Sequence, residues 1–223
     1  MNTINPFSRP LYVMLKPVGA ACNLRCHYCY YLEKACLYKD SSKRVLSEEM
    51  LDQFTKEYIE AQTMNDVLFT WHGGEPLMRP LSFYRKALEL QKKYGRGRNL
   101  SNVIQNNGTL LTDEWCRFLH ENNWLVGVSI DGPQEFHDEY RRTASGGPSW
   151  AKVMRGIQLL NKHHVEWNAM AVVNDFNADY PLNFYHFFKE MGCRFIQITP
   201  VVERMVNHAD GRHIATLTDD ATA

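Results

Sequence analysis

Residues 22–29 read Cys22-Asn23-Leu24-Arg25-Cys26-His27-Tyr28-Cys29, and this stretch decides how the rest of the chain is interpreted. Cysteine thiolates are soft ligands that suit iron–sulfur clusters and zinc. A [4Fe–4S] cluster has four irons, so these three cysteines would leave one iron without a protein ligand. A small molecule can be chelated and reduced at such an open iron. The stretch therefore predicts a metal centre that performs chemistry.

The same cysteines allow a second interpretation, which is a structural zinc site. Zinc accepts three sulfurs and one nitrogen in a tetrahedron, and His27 or Cys36 would complete such a set. Structural zinc sites more often use two separated ligand pairs, and no second pair follows residues 22–29. The iron–sulfur interpretation is therefore favoured. Cys36, Cys116 and Cys193 are isolated, and we interpret them as inert thiols.

Composition indicates a folded protein of the cell interior. The 223 residues include 25 basic and 25 acidic side chains. The chain has no excess of positive charge, so its composition does not predict nucleic acid as a partner. Hydrophobic residues make up 44% of the chain, which suits a packed core. No apolar run is long enough for a bilayer, and residues 1–10 lack the layout of a secretion signal. Cysteines without an export signal are expected to stay reduced, which predicts a cytoplasmic protein.

Strand-like and helix-like segments alternate, a pattern typical of an α/β fold with parallel strands. Apolar runs predict six strands, at Leu11–Leu15, Val67–Trp71, Val103–Gln105, Leu125–Ile130, Ala169–Val173 and Phe195–Ile198. Ser47 and Thr112 are predicted to cap helices, and Gly192 is expected to end one. Six consecutive strand–helix units predict a partial (β/α)6 barrel. Periodicity alone leaves a doubly wound open sheet as the alternative.

Unusual residues follow the predicted strands at their carboxyl ends. The cysteine stretch follows the first strand, Gly73-Gly74-Glu75-Pro76 the second, and Asn106-Asn107-Gly108 the third. Ser129 and Asp131-Gly132-Pro133 end the fourth strand. Barrel enzymes build their active sites from the loops at this end of the strands. These residues are therefore expected to share one rim.

Each of these signals is weak alone. The two glycines before Glu75 can form a simple turn, although glycines also let a ligand approach the main chain, and a carboxylate can receive an ammonium group. Ser129 is more often a turn former, and a lone arginine such as Arg141 is usually solvated. Yet arginine pairs a carboxylate through two parallel hydrogen bonds, which a bound amino acid requires.

In this order, the motifs resemble those of radical S-adenosylmethionine (SAM) enzymes over essentially the whole chain. The matching stretches are Cys22 to Tyr31, Trp71 to Leu77, Gln105 to Leu111 and Val126 to Pro133. Within that superfamily the chain is similar to anaerobic sulfatase-maturating enzymes, which have a C-terminal domain with auxiliary clusters. The resemblance implies that residues 1–203 are the radical SAM core. Residues 204–223 would begin a linker to a C-terminal domain that this chain does not include.

The resemblance also implies roles for the matching residues. Cys22, Cys26 and Cys29 would hold a [4Fe–4S] cluster that chelates S-adenosyl-L-methionine at its open iron. Further contacts with S-adenosylmethionine would come from Tyr28, which would pack on the adenine, and from Gly73, Gly74, Glu75, Asn107, Ser129, Arg141 and the backbone of Val202. The catalytic base of the family would lie beyond residue 223.

The implied reaction cleaves SAM reductively to a 5′-deoxyadenosyl radical and oxidises a cysteine or serine of a sulfatase to Cα-formylglycine. The partners would be an unfolded or nascent sulfatase polypeptide and an electron donor such as a flavodoxin or ferredoxin, with no nucleic acid and no membrane. Two alternatives stay open from the sequence. One is another radical SAM maturase that forms thioether or carbon–carbon links, and the other is a non-catalytic zinc-binding interaction domain.

Overall fold

The computed structural model describes residues 10–32 and 45–201, and its centre is one parallel sheet. The strands are β1 Met14–Leu15, β2 Asp66–Trp71, β3 Asn99–Asn106, β4 Leu125–Ser129, β5 Trp167–Val173 and β6 Ile196–Pro200. Each strand pairs with the next one along the chain, so the order is β1 to β6 without a reversal. A doubly wound sheet reverses its strand order. The observed order confirms the predicted partial (β/α)6 barrel.

Helices connect these strands on the outer side of the sheet. They are α1 Glu48–Glu60, α2 Leu81–Tyr94, α3 Asp113–Glu121, α4 Gln134–Tyr140, α5 Trp150–Lys162 and α6 Pro181–Glu190, with a short 3-10 helix at Pro76–Met78. Ser47 and Thr112 accept hydrogen bonds from the N–H groups of Met50 and Trp115, which confirms both predicted caps. Gly192 follows α6 with φ of 74°, so the predicted left-handed helix stop is also confirmed.

The predicted element boundaries differ from the observed ones at the sheet edge and at polar strand ends. β1 pairs over Met14–Leu15 only, although the apolar run begins at Leu11, because residues 11–13 lie exposed before the strand reaches β2. β3 begins at Asn99 instead of Val103 because its polar first half pairs with β2. In the described ranges, no helix has the length and apolar character needed to cross a membrane.

The core lies between the outer face of the sheet and the helices. Side chains alternate along a strand, so every second residue of β2, β3 and β4 points into this layer. Trp71 is fully buried there, with its ring centroid 6.0 Å from that of Trp124 and 5.4 Å from that of Tyr84. Its Nε1 donates to Asn102 Oδ1 at 2.9 Å, so the indole N–H is satisfied. This apolar layer fixes the strands whose carboxyl ends bear the loops described next.

Candidate functional site

The cysteine stretch lies in the loop after β1, at the carboxyl end of the sheet. Two backbone hydrogen bonds tie it to the segment at the end of α4. Arg25 N–H donates to Arg142 O at 2.8 Å, and His27 N–H donates to Tyr140 O at 2.9 Å. The cysteine stretch is therefore docked on a part of the chain more than a hundred residues away.

The Gly-Gly-Glu loop after β2 packs against the beginning of the same cysteine loop. Gly74 N–H donates to Gly19 O, and Glu75 N–H donates to Ala21 O, both at 2.8 Å. A Cβ on Gly74 would lie 2.0 Å from Ala21 O, so only glycine permits this approach. The structure thus gives Gly74 a role between two loops, in addition to its predicted contact with a ligand. Gly73, with φ of 120°, adopts a conformation that favours glycine.

Glu75 is fully buried and joins the loops that follow β2 and β3. Its Oε1 accepts from Leu77 N–H at 2.9 Å, and its Oε2 accepts from Asn107 N–H at 2.7 Å. Burial raises the pKa of Glu75 to about 7, although the two N–H groups oppose this shift. A contact of this carboxylate with an ammonium group would use the lone pairs that these bonds leave open.

Asn107 connects the loop after β3 to the first cysteine. Its Nδ2 donates to Asn23 Oδ1 at 2.8 Å and lies 3.8 Å from Cys22 Sγ. Asn23 Nδ2 in turn donates to Thr109 Oγ1 at 2.8 Å. The predicted contact of Asn107 with S-adenosylmethionine stays a prediction, but its place beside the cysteine loop is observed.

The cysteines of residues 22–29 are free thiols. Burial raises the pKa of Cys22 to about 11 and that of Cys26 to about 12, and Cys29 adds to both shifts through its charge. The three thiols are therefore electrostatic neighbours. Across residues 10–32 and 45–201, no three His, Cys, Asp or Glu side chains are arranged to hold a metal ion. Ligation of a cluster by these cysteines stays a prediction, and Cys36 lies outside the described residues.

A buried ion pair lies behind the cysteine stretch, in the loop after β4. Arg141 Nε donates to Asp131 Oδ2 at 2.8 Å, and Arg141 Nη2 donates to Asp131 Oδ1 at 3.1 Å. Although burial opposes the charge of Arg141, Asp131 raises the pKa of the guanidinium above its usual range. The predicted contact of Arg141 with a ligand carboxylate would therefore use the N–H groups that Asp131 leaves open.

Tyr28 belongs to the same ion-pair cluster. Its hydroxyl donates to Asp131 Oδ2, and the Arg141 guanidinium carbon lies 5.5 Å from the centroid of its ring. Burial raises the pKa of Tyr28 well above its usual range, so the phenol stays neutral. Packing of the ring on adenine stays a prediction.

Ser129 lies at the end of β4 on the inner face of the barrel. Its Oγ accepts a hydrogen bond from Gln105 Nε2 at 3.0 Å, and Gln105 is paired in register with Gly127. A Cβ on Gly127 would lie 1.8 Å from Gln105 Oε1, so the glycine makes room for this amide side chain. Val202, for which a backbone contact is predicted, lies outside the described residues.

Sequence reasoning expected Asp131 on the rim but gave it no partner, and it gave Gln105 and Asn23 no role. The ion pair of Asp131 depends on the short helix α4, which was not predicted. The only signal in the sequence was an acid ten residues before an arginine. Amide side chains such as those of Gln105 and Asn23 give no pattern that separates them from ordinary turn residues.

Comparisons with known proteins agree with this arrangement. The family model described as Radical SAM superfamily matches residues 17–188. A serine-type anaerobic sulfatase-maturating enzyme of Bacteroides thetaiotaomicron is 70% identical over 218 residues, which are 98% of this chain and 53% of that protein. A cysteine-type anaerobic sulfatase-maturating enzyme of Clostridium novyi is 36% identical over 196 residues, which are 87% of this chain and 52% of that protein. The chain spans about half the length of these curated relatives.

One solved structure is similar over most of the chain. It is described as native anSMEcpe with bound AdoMet and Cp18Cys peptide, and it matches with a TM-score of 0.82 and 32% sequence identity. The match covers 94% of this chain and 55% of that one. The fold is thus similar to that of a structure in which AdoMet and a peptide are bound.

Proposed function

The chain belongs to the radical SAM superfamily, and we propose that its full-length protein cleaves S-adenosyl-L-methionine reductively and oxidises a sulfatase residue to Cα-formylglycine. The similarity to curated sulfatase-maturating enzymes supports this substrate. Identity of 70% with a serine-type relative, against 36% with a cysteine-type one, favours serine as the oxidised residue. The observation that carries the proposal is the direct contact of the Gly-Gly-Glu and Asn107 loops with the cysteine loop.

The thiols of the cysteine stretch are of the chemical type that binds a [4Fe–4S] cluster. Cys22, Cys26 and Cys29 would hold it, since they are soft donors outside any disulfide and close enough to influence one another. When bound, the cluster and S-adenosylmethionine supply a 5′-deoxyadenosyl radical that abstracts hydrogen from the substrate. Because burial keeps protons on Cys22 and Cys26, loading with iron is expected to release protons.

The other rim residues would bind and orient S-adenosylmethionine. Gly73 and Gly74 would receive its amino group beside Glu75, and Asn107 would contact its ribose. Tyr28 would present its ring to the adenine. Ser129 and the open N–H groups of Arg141 would bind the carboxylate of the methionine part. Such fixed contacts matter because a radical attacks what it touches, so a misplacement of about 1 Å is costly.

A cavity of about 200 Å³ on the sheet supports a peptide as the substrate. Its lining combines amide side chains, Gln105, Asn168 and Gln197, with apolar ones, Val103 and Met170. Amide groups can pair with the backbone of an extended peptide, which exposes both donors and acceptors. The partners we propose are therefore an unfolded or nascent sulfatase polypeptide and a reducing protein such as a flavodoxin or ferredoxin. Free cysteines favour a cytoplasmic location for this reaction.

The proposal is tested with the full-length protein reconstituted with iron and sulfide under anaerobic conditions. It is mixed with S-adenosylmethionine, a strong reductant and a sulfatase peptide that has serine at the target position. We expect 5′-deoxyadenosine by chromatography and an aldehyde on the peptide by mass spectrometry. Absence of 5′-deoxyadenosine would refute the enzyme class, whereas deoxyadenosine without an aldehyde would refute only the substrate.

Two cysteine variants make the same test specific to the cluster. Cys26→Ala is expected to lose the part of the iron and of the visible absorption that comes from a cluster at residues 22–29, while any auxiliary clusters of the full-length protein keep theirs. Its deoxyadenosine formation should fall to background. Cys116→Ala is the matched control, because Cys116 is a fully buried thiol within α3. It should keep its iron and its activity. Equal iron content in the two variants would contradict the assignment of the cysteine stretch.

A further inference from the structure

The carboxylate of Asp131 contacts three separate segments at the rim, namely the end of α4, the cysteine stretch and β5. It accepts two hydrogen bonds from Arg141 at the end of α4 and one from the hydroxyl of Tyr28 in the cysteine stretch. Its Oδ1 also accepts from Val172 N–H of β5 at 2.9 Å. The side chain has no exposed surface, so these four donors replace water around the charge.

The backbones of Asp131 and Arg141 are also connected by a relay of hydrogen bonds through two neutral side chains, His137 and Ser149. Asp131 N–H donates to His137 Nδ1 at 3.3 Å, so the imidazole proton is on Nε2, which lies 2.9 Å from Ser149 Oγ. The Ser149 hydroxyl then donates to Arg141 O at 2.7 Å. His137 and Ser149 each accept one hydrogen bond and donate another, so these bonds have a single consistent set of directions. The backbones of Asp131 and Arg141 are thereby fixed relative to each other.

We propose that Asp131 is a positioning residue for S-adenosylmethionine, because it aligns the cysteine stretch with the loop after β4 through Tyr28 and Arg141. This inference rests on the proposed function, since it assigns a role toward the cofactor of that same site. Tyr28 directly precedes Cys29, so the hydrogen bond from its hydroxyl to Asp131 sets where the third cysteine lies. The pairing of Asp131 with one edge of Arg141 leaves the other N–H groups to face a ligand carboxylate.

The charge of Asp131 is what makes this alignment specific. A carboxylate presents two equivalent oxygens to the planar guanidinium fork, whereas an amide presents one oxygen and one NH₂ group. An asparagine at this position would therefore oppose Arg141 with a donor and release it from its present orientation. The size of the side chain would be unchanged, so the variant tests the orientation and not the volume.

The experiment compares Asp131→Asn, Tyr28→Phe and Asp138→Asn in the full-length protein, reconstituted anaerobically. Asp138 is the matched control because it is also a buried carboxylate and lies in α4, between Asp131 and Arg141 in the sequence. Among the described residues, its carboxylate accepts from the N–H groups of Ser149 and Trp150. The measurements are iron content, thermal unfolding, and the equilibrium dissociation constant for S-adenosylmethionine without a reductant. Hydrogen exchange of residues 22–29 is followed by mass spectrometry in the same samples.

We expect Asp131→Asn to raise the dissociation constant about 10- to 100-fold, the usual effect of losing a group that orients a ligand-binding residue. The iron content should stay at the wild-type level. Tyr28→Phe removes one oxygen and should raise the constant about tenfold, as for a lost hydrogen bond to a charged group. Asp138→Asn should lower the melting temperature yet leave the constant unchanged.

Several outcomes separate this inference from the proposed function. An unchanged dissociation constant in both Asp131→Asn and Tyr28→Phe overturns the inference, and so does an equal increase in Asp138→Asn. If Asp131→Asn does not fold, Tyr28→Phe decides alone. If even the wild-type protein binds no S-adenosylmethionine, the proposed function fails. In that case, faster exchange of Arg25 and His27 in Asp131→Asn than in Asp138→Asn would still show the alignment, and equal exchange would refute it.

Discussion

Each half of the rim is held by one fully buried carboxylate, Glu75 in the half near β2 and Asp131 in the half near β4. The two carboxylates have different kinds of hydrogen-bond donors. Glu75 accepts from two neutral backbone N–H groups, whereas Asp131 accepts from a guanidinium, a phenol and one backbone N–H. Both link segments far apart in sequence, since Glu75 reaches Asn107 and Asp131 reaches Val172. The half near β2 is thus held by dipoles and the half near β4 by charge.

Because of this difference, the two halves of the rim respond differently to pH. Two N–H groups do not fully replace water around Glu75, so burial raises its pKa to about 7. Asp131 has a permanent positive partner in Arg141, whose guanidinium does not lose its proton. The first half of the rim is therefore sensitive to pH near neutrality, while the second half depends on keeping both members of a pair.

The largest expected effect follows from removing one charge of the buried pair. Asp131→Asn should lower the free energy of unfolding by about 3–5 kcal/mol, because it leaves the Arg141 guanidinium buried without its counter-ion. Glu75→Gln should lower it by only about 1–3 kcal/mol, since it weakens neutral hydrogen bonds. Urea titration of the two full-length variants checks the order. A larger loss in Glu75→Gln would reverse the comparison between the two halves.

The next effect is the change of stability with pH, for which one group in each half of the rim is expected to have the opposite sign. The pKa of Glu75 is about 7 in the folded state and 4.5 ordinarily, so the folded protein binds the extra proton. Its contribution is present below pH 4.5 and is lost as the pH rises through 7. The loss amounts to about 3 kcal/mol. A variant that keeps Glu75 but lacks any group of opposite pH dependence should therefore become less stable as the pH increases.

His137 has the opposite dependence. Burial and the nearby Arg141 lower its pKa from 6.5 to about 4, so it stabilises the fold above pH 6.5 and this contribution is lost as the pH falls through 4. In the wild type the two slopes should nearly cancel between pH 4.5 and 6.5. Glu75→Gln should then gain stability with rising pH, and His137→Gln should lose it. Urea titrations at four pH values measure both slopes, and parallel slopes would contradict the assignment.

The sequence predicted the frame of the molecule well because apolar periodicity and capping chemistry are local signals. Ser47, Thr112 and Gly192 were assigned from their neighbours alone, and all three have the expected roles. The strand order also followed, since consecutive strand–helix units leave few arrangements. The order of the special residues along the chain was likewise enough to predict that their loops share one rim.

The hydrogen bonds and ion pairs between the loops of the rim were not predictable in the same way. The pairing of Asp131 with Arg141 and Tyr28 joins three segments, and no local pattern links an acid to partners that distant. The contact of Gly74 with Ala21 shows the same limit, because a glycine pair predicts close approach without saying what approaches. Long-range polar contacts depend on the finished fold, and they were visible only in the structure.

Gly74→Ala is expected to have a smaller effect, confined to the neutral half of the rim. Its methyl group would overlap Ala21 O at 2.0 Å and push the cysteine loop away from the Gly-Gly-Glu loop. We expect a loss of about 1–3 kcal/mol in stability, as for other overpacked sites, together with weaker binding of S-adenosylmethionine. Hydrogen exchange should quicken at Gly74 and Glu75, whose N–H groups donate across this contact. Unchanged exchange at both positions would show that the loops are held by other contacts.

The smallest expected effect lies outside the rim and calibrates all the others. Thr112→Ala removes the hydroxyl that accepts from Trp115 N–H at the start of α3, which should cost about 1 kcal/mol of stability. Because α3 contributes to the helix layer and not to the loops around the cysteines, the dissociation constant for S-adenosylmethionine should not change. Urea titration and equilibrium binding on one preparation test this directly. If the cap variant weakened binding as much as Gly74→Ala, loss of stability alone would explain both, and the rim would have no separate role in orienting the ligand.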